Sequence, residues 1–208
     1  MANDQGAAVP PPADLHERPL QLKKLAPGRW WRVHRASLGP CYFSRDPGNR
    51  FSRVGLDVLY LADRQVTAFW EIFWDDLATR PPAERRIARA RLDERRMAPG
   101  RLKRTVAVFD ATSAKQLKIV GAPTSTFSSD YGNCQAWAAA LAAHPQKPEG
   151  ILYPSARTLG NQCLALFRSP SLDCRTLAFG PSVSISKSAE ILADLADQHV
   201  DVLVEEIR

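Results

Sequence analysis

The chain has 208 residues, of which 45% are apolar and 24% are charged, the proportions of an ordinary globular protein. Its formal net charge is +6 at pH 7. No run reaches the roughly 18 apolar residues of a membrane-spanning helix, and the first residues lack the basic start and apolar stretch of a secretory signal. We therefore expect a cytoplasmic protein with one domain and no membrane partner.

The first half of the chain predicts a lead-in, two strands and a helix. Residues 1–28 are rich in Pro and Ala, which is typical of an extended or disordered segment. A β-like run follows over 29–35, and the apolar run 57–62 predicts a buried strand. Apolar residues then recur at i, i+3, i+4, i+7, i+8 and i+11, which predicts a helix from residue 63 or 64 to Leu77.

The second half mixes both kinds of element. A charged helix is predicted over 83–97, before the break at Pro99. The later elements are predicted as strands over 101–110, 115–120, 150–155, 161–167 and 174–179, helices over 129–144 and 187–198, and a last alternating strand over 199–207 that could close a sheet. Because strands and helices do not alternate regularly, the pattern favours an α+β fold.

The cysteines and histidines give no sign of a metal site. Cys41, Cys134, Cys163 and Cys174 are widely spaced and form no CxxC motif. None of the four histidines has ligand spacing with another. We therefore predict four reduced, structural cysteines and no metal.

The positive charge is concentrated in residues 80–104. This segment holds ten Lys or Arg residues against three Asp or Glu residues, a local excess of seven. It could contact nucleic-acid phosphates, or it could form a solvated helix or a docking surface for an acidic partner. Acidic residues interrupt the run and no aromatic residues for base stacking are interleaved, which favours the second interpretation.

Three different chemistries lie close together between Arg50 and Glu71. Arg50 sits between two glycines in a loop, and an arginine binds phosphate through two parallel hydrogen bonds. Tyr60 offers an aromatic face for stacking on a nicotinamide or adenine ring. Glu71 could stabilise the positive charge that develops when an N-glycosidic bond breaks. Spacing alone also fits a solvated Arg, a core Tyr and a solvated Glu.

This segment resembles the core motif of RES-domain proteins, which are toxin components of bacterial toxin–antitoxin modules. Its pattern is R-F-S-x-x-G-x-x-V-L-Y-L-A-x-x-x-x-x-A-x-x-E, from Arg50 to Glu71. The run 31–35 resembles the opening strand of the family, and 130–137 and 150–155 resemble a later helix and strand. Four blocks in the same order are more specific than any one block.

The resemblance implies a single α+β domain over 29–208, with a split β core similar to that of ADP-ribosyltransferase toxins around a NAD cleft. It implies Glu71, Arg50 and Tyr60 as catalytic residues, and Arg32, Arg50, Tyr60 and Ser155 as substrate-binding residues. NAD is then a substrate, and no cofactor is expected.

The reaction implied is cleavage of the nicotinamide–ribose bond by an NAD glycohydrolase or phosphorylase. Two alternatives remain open: an ADP-ribosyltransferase that modifies a host protein, and a non-catalytic protein that binds nucleic acid or a partner through residues 80–104. The family also implies a helix-turn-helix (Xre-type) antitoxin as partner, with DNA reached only through that antitoxin. A homodimer is left open.

Overall fold

The computed structural model describes residues 9–128 and 130–204. The strands are β1 (Lys23–Leu25), β2 (Arg29–Arg35), β3 (Val58–Ala62), β4 (Arg86–Ala88), β5 (Arg95–Leu102), β6 (Val106–Asp110), β7 (Gly150–Pro154), β8 (Gln162–Phe167), β9 (Leu177–Phe179), β10 (Val183–Ser184) and β11 (Asp201–Leu203). The helices are α1 (Gln65–Leu77), α2 (Arg89–Asp93), α3 (Ala114–Val120), α4 (Tyr131–Ala142) and α5 (Ala189–Asp197). None of the helices in the described part of the chain is long and apolar enough to cross a membrane.

Nine strands form one sheet in the order β1-β6-β7-β8-β3-β2-β5-β10, and β9 also pairs with β5. β6 and β7 run parallel, and the other neighbours are antiparallel. The join between β2 and β3 is a single residue pair, Trp31 with Ala62. By contrast, β2 pairs with β5 along all seven of its residues. The sheet therefore splits into two halves beyond that one pair.

Residues of the loop between β2 and β3 fill the split. Ser44 exchanges two backbone hydrogen bonds of 2.8 Å with Val58, in the place where β2 would otherwise continue. The Arg32 guanidinium donates to the carbonyl oxygens of Tyr60, at 2.7 Å, and Tyr42, at 2.8 Å. Because buried carbonyl groups need hydrogen-bond partners, Arg32 stabilises the open form of the sheet.

Apolar cores lie on both faces of the sheet. Alternation along β3 sends Val58 and Ala62 to the face that α1 covers, and Leu59 and Leu61 to the other face. α1 packs against β2, β3 and β8, and α5 packs against α1. The half-buried Glu71 lies on α1 beside the split, so this packing places a carboxylate next to the gap in the sheet.

The predicted fold class is confirmed: the chain forms a single α+β domain with a split β core. The strands predicted over 29–35, 57–62, 150–155 and 161–167 are present within one or two residues, as are the helices ending at Leu77 and spanning 129–144 and 187–198. Asp130 caps α4, since its side chain accepts a hydrogen bond from the Asn133 N–H at 2.9 Å.

The helix predicted over 83–97 is wrong, and with it the helical character of the basic segment. The structure has a 3₁₀ turn, β4, the short helix α2 and the start of β5 in its place. The buried apolar side chains Ile87, Leu92 and Met97 are five residues apart, which is not a helical repeat. Pairing of β5 along the whole of β2 outweighs the helix propensity of the arginines.

The strand predicted over 115–120 is also wrong, because this segment forms α3. The Ser113 side chain accepts a hydrogen bond from the Gln116 N–H and caps the helix start. Gly121 ends the helix with φ of 76°, the left-handed conformation that favours glycine. Leu117 and Val120 are buried three residues apart, as a helix requires.

Both ends of the described chain differ from the prediction. The lead-in was predicted as extended or disordered, and from residue 9 it contributes an extended strand to the sheet: β1 pairs with β6, and Leu15 and Leu20 are buried. β11 pairs with β4 in a separate two-stranded ribbon and does not close the large sheet. The rest of both predictions, over 1–8 and 205–207, lies outside the described residues. A segment poor in periodic apolar residues can still add a strand to a sheet edge, since its backbone supplies the hydrogen bonds.

The prediction of four reduced cysteines is wrong for two of them. Cys41 and Cys174 form a disulfide with an S–S distance of 2.11 Å, whereas Cys134 and Cys163 are buried and take no part in a disulfide. The bonded residues are 133 positions apart in sequence, so their contact depends on the tertiary fold and leaves no local spacing signal. The bond ties the loop between β2 and β3 to the turn before β9.

Candidate active site

A cleft of about 290 Å³ lies at the split between β2 and β3. Four of the five predicted site residues line it, namely Arg32, Arg50, Tyr60 and Glu71. The fifth, Ser155, does not line the cleft but is hydrogen-bonded to Glu71. Residues far apart in the sequence therefore converge on one place. Within the described ranges, no group of three or more His, Cys, Asp or Glu side chains is arranged to hold a metal ion.

Ser155 positions the carboxylate of Glu71. Its hydroxyl donates to Glu71 Oε1 at 2.7 Å, and its oxygen accepts from the backbone N–H groups of Arg157, at 3.1 Å, and Thr158, at 3.0 Å. Ser155 is only 7% exposed. With its oxygen held by two amides, its single proton is directed at Glu71. Glu71 Oε2 has no hydrogen bond to any described residue, so that oxygen is left for a ligand.

Tyr60 holds the loop that carries Arg50. Its hydroxyl oxygen accepts from the Phe51 N–H at 2.9 Å and lies 3.0 Å from Ser52 Oγ. Burial raises the pKa of Tyr60 to about 12, so the phenol is neutral at ordinary pH. The ring of Tyr60 also stacks near that of Phe51, with centroids 6.4 Å apart. Tyr60 therefore anchors the residue next to Arg50, a role that the sequence did not predict.

Arg50 is 7% exposed, yet it keeps its charge. Burial acts to lower its pKa, but Tyr153 and Glu71 act in the opposite direction, and the net shift of the Arg50 pKa is upward. Its guanidinium lies 5.2 Å from the centre of the Tyr131 ring, a cation–π distance. It also donates to the Phe127 carbonyl at 3.5 Å, so this cation is fixed against the cleft wall.

Helix α4 fixes the other side of the Arg50 loop. The Gln135 amide donates to the carbonyl oxygens of Pro47, at 2.7 Å, and Asn49, at 2.9 Å. Tyr131 begins the same helix and contributes the ring beside Arg50. Both residues lie in the run 130–137, which resembles a helix of the family, but no role was predicted for them. Their place in that block was the signal that could have found them.

Arg32 is buried, and its two terminal nitrogens donate to the carbonyl oxygens of Tyr60 on β3 and of Tyr42 in the loop that fills the split. Burial lowers its pKa to about 10. Its Nε, also buried, has no hydrogen-bond partner among the described residues. These contacts make Arg32 a residue that supports the cleft wall, and the substrate-binding role predicted for it stays a prediction.

The basic segment 80–104 does not present one charged face. Arg91 forms ion pairs with Asp76 and Glu94, and Arg104 pairs with Glu149. Other members of the segment are spread over β4, α2 and β5. Arg95 lines the cleft, as does Arg35 of β2. Neither was predicted as a site residue. Arg35 ends the run 31–35 that resembles the opening strand of the family, but its pairing with Arg95 is created by the register of β2 and β5.

Residues 29–185 match the RES domain, which is three quarters of the chain. The chain belongs to the RES-domain family. All five predicted site residues lie within the matched range, which begins at the first residue of β2. Comparison with curated protein sequences found no match.

The fold is similar to a solved structure described as the M. tuberculosis MbcT–MbcA toxin–antitoxin complex. The match has a TM-score of 0.60 and 21% sequence identity, and it covers 77% of this chain and 85% of that chain. At this level of identity the match supports the RES fold of this chain.

Proposed function

We propose that this RES-domain protein is the toxin of a bacterial toxin–antitoxin module and cleaves the nicotinamide–ribose bond of NAD. The observation that carries the proposal is the buried Ser155 hydroxyl that donates to Glu71 in a cleft shared with Arg50 and Tyr60. A carboxylate held by a buried donor, next to a buried cation and aromatic rings, suits a substrate that carries phosphates and flat bases.

In the proposed reaction the C1′–N bond breaks and its electron pair stays on the nicotinamide ring nitrogen, which becomes neutral. Positive charge develops on the ribose, and the fixed carboxylate of Glu71 stabilises it without having to reorganise. Arg50 binds a phosphate of the dinucleotide, and Tyr60 and Tyr131 contact its rings. An acceptor oxygen then bonds to C1′: a water oxygen loses one proton to solvent, whereas an unprotonated phosphate oxygen bonds directly. Water as acceptor makes the enzyme a glycohydrolase, and phosphate makes it a phosphorylase.

An enzyme of this kind would deplete NAD in the cell that makes it, so we also propose an antitoxin partner. The partner would be a helix-turn-helix protein of the Xre type, and DNA would be bound through it, in the cytoplasm. The similarity to a chain from a toxin–antitoxin complex supports this proposal. The scattering of the arginines in 80–104 over several elements does not favour direct nucleic-acid binding by this chain.

The test is to incubate the purified protein with NAD and follow nicotinamide release by chromatography, with water alone, with phosphate and with cell lysate. Release that needs phosphate identifies a phosphorylase, and release without it identifies a glycohydrolase. Labelling of a lysate protein with ADP-ribose identifies a transferase. No release under any of the three conditions, from protein whose circular dichroism shows it to be folded, would show that the proposed activity is wrong.

A further inference from the structure

Two arginines face each other across the strands at one end of the cleft. Arg35 of β2 and Arg95 of β5 are directly paired in the antiparallel register, and both line the cleft. They lie two residues along from the pair Val33 and Met97, which packs on the α1 face of the sheet. Since strand residues alternate between faces, both arginine side chains extend from the face that carries Tyr60.

No described residue makes a direct hydrogen bond or ion pair with either guanidinium of this pair. The nearby carboxylates Asp76 and Glu94 are both bound by Arg91. Burial, followed by the positive charges of Arg35 and Arg91, lowers the pKa of Arg95, and the negative charges of Glu94 and Asp76 offset this only in part. Like charges directly opposite each other destabilise a sheet, so the fold keeps an unfavourable arrangement at this point.

A second pair on the same two strands provides an internal comparison. Arg29 and Arg101 are also directly opposed across β2 and β5, but they lie outside the cleft and are exposed. The Arg29 guanidinium is 4.5 Å from the centre of the Trp31 ring. Water can screen that pair, whereas Arg95 is partly buried in the cleft wall. The two pairs therefore share a register and differ in their surroundings.

We propose that Arg35 and Arg95 form an anion subsite that binds a phosphoryl group in the cleft. Guanidinium groups from two directly opposed residues can together bind the oxygens of a phosphate, and a bound anion would offset their mutual repulsion. The inference rests on the proposed function for the origin of the ligand. The phosphoryl group is either part of the bound dinucleotide or a free phosphate ion that acts as acceptor.

The location of the pair supports a site separate from Arg50. Arg91 of α2, which lies just before β5 and Arg95 in the chain, contacts Phe73 and Asp76 of α1, and Asp76 also acts on the pKa of Arg95. Phe73 and Asp76 follow Glu71 towards the C-terminal end of α1. Arg50, by contrast, lies against Tyr131 at the start of α4. The cleft therefore has cations on two different walls, with Glu71 on α1 lining it as well.

The experiment measures ligand binding by calorimetry in a Glu71→Gln background, in which turnover does not interfere. Arg35→Gln and Arg95→Gln are compared with Arg101→Gln, the matched control from the second pair. The probes are inorganic phosphate and NAD. Because hydrogen bonds to charged groups are strong, we expect each cleft variant to bind the affected probe about tenfold more weakly, or worse. The Arg101→Gln control should bind both probes with little change in affinity.

The two probes separate the two sources of the phosphoryl group. Loss of phosphate binding identifies a free phosphate site, and loss of NAD binding alone identifies a dinucleotide phosphate. The subsite is overturned if both cleft variants bind both probes as the Arg101→Gln control does, or if the parent binds neither probe. Arg35 is exposed, so its variant decides the matter if Arg95→Gln does not fold. Phosphate binding that depends on the pair, in a protein that releases no nicotinamide, would leave the subsite standing and the proposed function wrong.

Discussion

The two ends of the cleft differ in how their charged groups are held. At one end, Glu71 accepts a hydrogen bond from a buried serine, and Arg50 is fixed against a tyrosine ring and a carbonyl oxygen. At the other end, Arg35 and Arg95 face each other with no partner in the described chain. Groups fixed by the fold are ready to act on a substrate, whereas groups left unneutralised are stabilised only when an anion arrives.

The largest expected effect is at the end of the cleft where Glu71 and Arg50 are held by the fold, which we call the fixed end. Glu71→Gln removes the negative charge from the carboxylate site while keeping its shape, so stabilisation of the developing positive charge is lost. We expect the rate of nicotinamide release to fall by roughly 10²–10³-fold, with little change in thermal stability. Asp75→Asn, on the exposed side of the same helix, is the control and should keep its rate. Near-parental activity of Glu71→Gln would show that the charge of Glu71 is not needed for turnover and that its catalytic role is wrong.

Ser155→Ala tests whether the fixed end depends on preorganisation. The change removes the donor to Glu71 and leaves the amides of Arg157 and Thr158 without an acceptor. A hydrogen bond to a charged group contributes about 1.5–3 kcal/mol, so we expect a loss of roughly 10–100-fold in kcat.

The division of that loss between kcat and KM separates two roles for Ser155. A residue that positions Glu71 acts mainly on kcat, whereas one that binds the substrate directly acts on KM. Ser155→Thr keeps the hydroxyl and should recover part of the rate. A rise in KM with unchanged kcat would contradict the positioning role and return Ser155 to the substrate-binding role implied by the family.

Tyr60→Phe tests how the loop of Arg50 is held. The variant loses the oxygen that accepts from the Phe51 N–H, and an unsatisfied buried amide costs about 1–3 kcal/mol. We expect a drop of that order in the free energy of unfolding in urea, together with a higher KM for NAD. Because the pKa of Tyr60 is about 12, both effects should be the same across the neutral pH range. Tyr42→Phe, at an exposed phenol, should leave stability unchanged.

The residues of the candidate site could be predicted from the sequence where they lie in a local motif, but the contacts between distant segments could not. Arg50, Tyr60 and Glu71 lie in one short motif, and Ser155 lies in another, so their residue types were visible. The hydrogen bond between Ser155 and Glu71 joins residues 84 positions apart, and no pattern in either segment shows it. The pairing of Arg35 with Arg95 depends on the register of β5, and that strand was predicted in part as a helix.

Local propensity failed where tertiary contacts decide the structure. The arginine-rich run before Pro99 reads as a helix, but hydrogen bonding to β2 makes its end a strand. Cys41 and Cys174 meet because the loop in the split lies against the turn before β9, which no spacing rule gives. The α3 segment, in contrast, carried a local signal in Ser113 and Gly121, and an interpretation based on these caps would have found the helix.

The smallest expected effect is at the end of the cleft that holds Arg35 and Arg95, and it reports the repulsion between these two charges. Arg35→Gln removes one of two like charges, so the protein should become slightly more stable in low salt. Cross-strand pairs contribute about 0.2–1 kcal/mol, and the gain should be near the lower limit because Arg35 is exposed and salt screens it. Phosphate should raise the melting temperature of the parent more than that of Arg35→Gln, whereas chloride at equal ionic strength should not. Equal stabilisation of both proteins by phosphate would show that Arg35 and Arg95 are only solvated surface residues, like Arg29 and Arg101. The two ends of the cleft would then not differ in the way proposed.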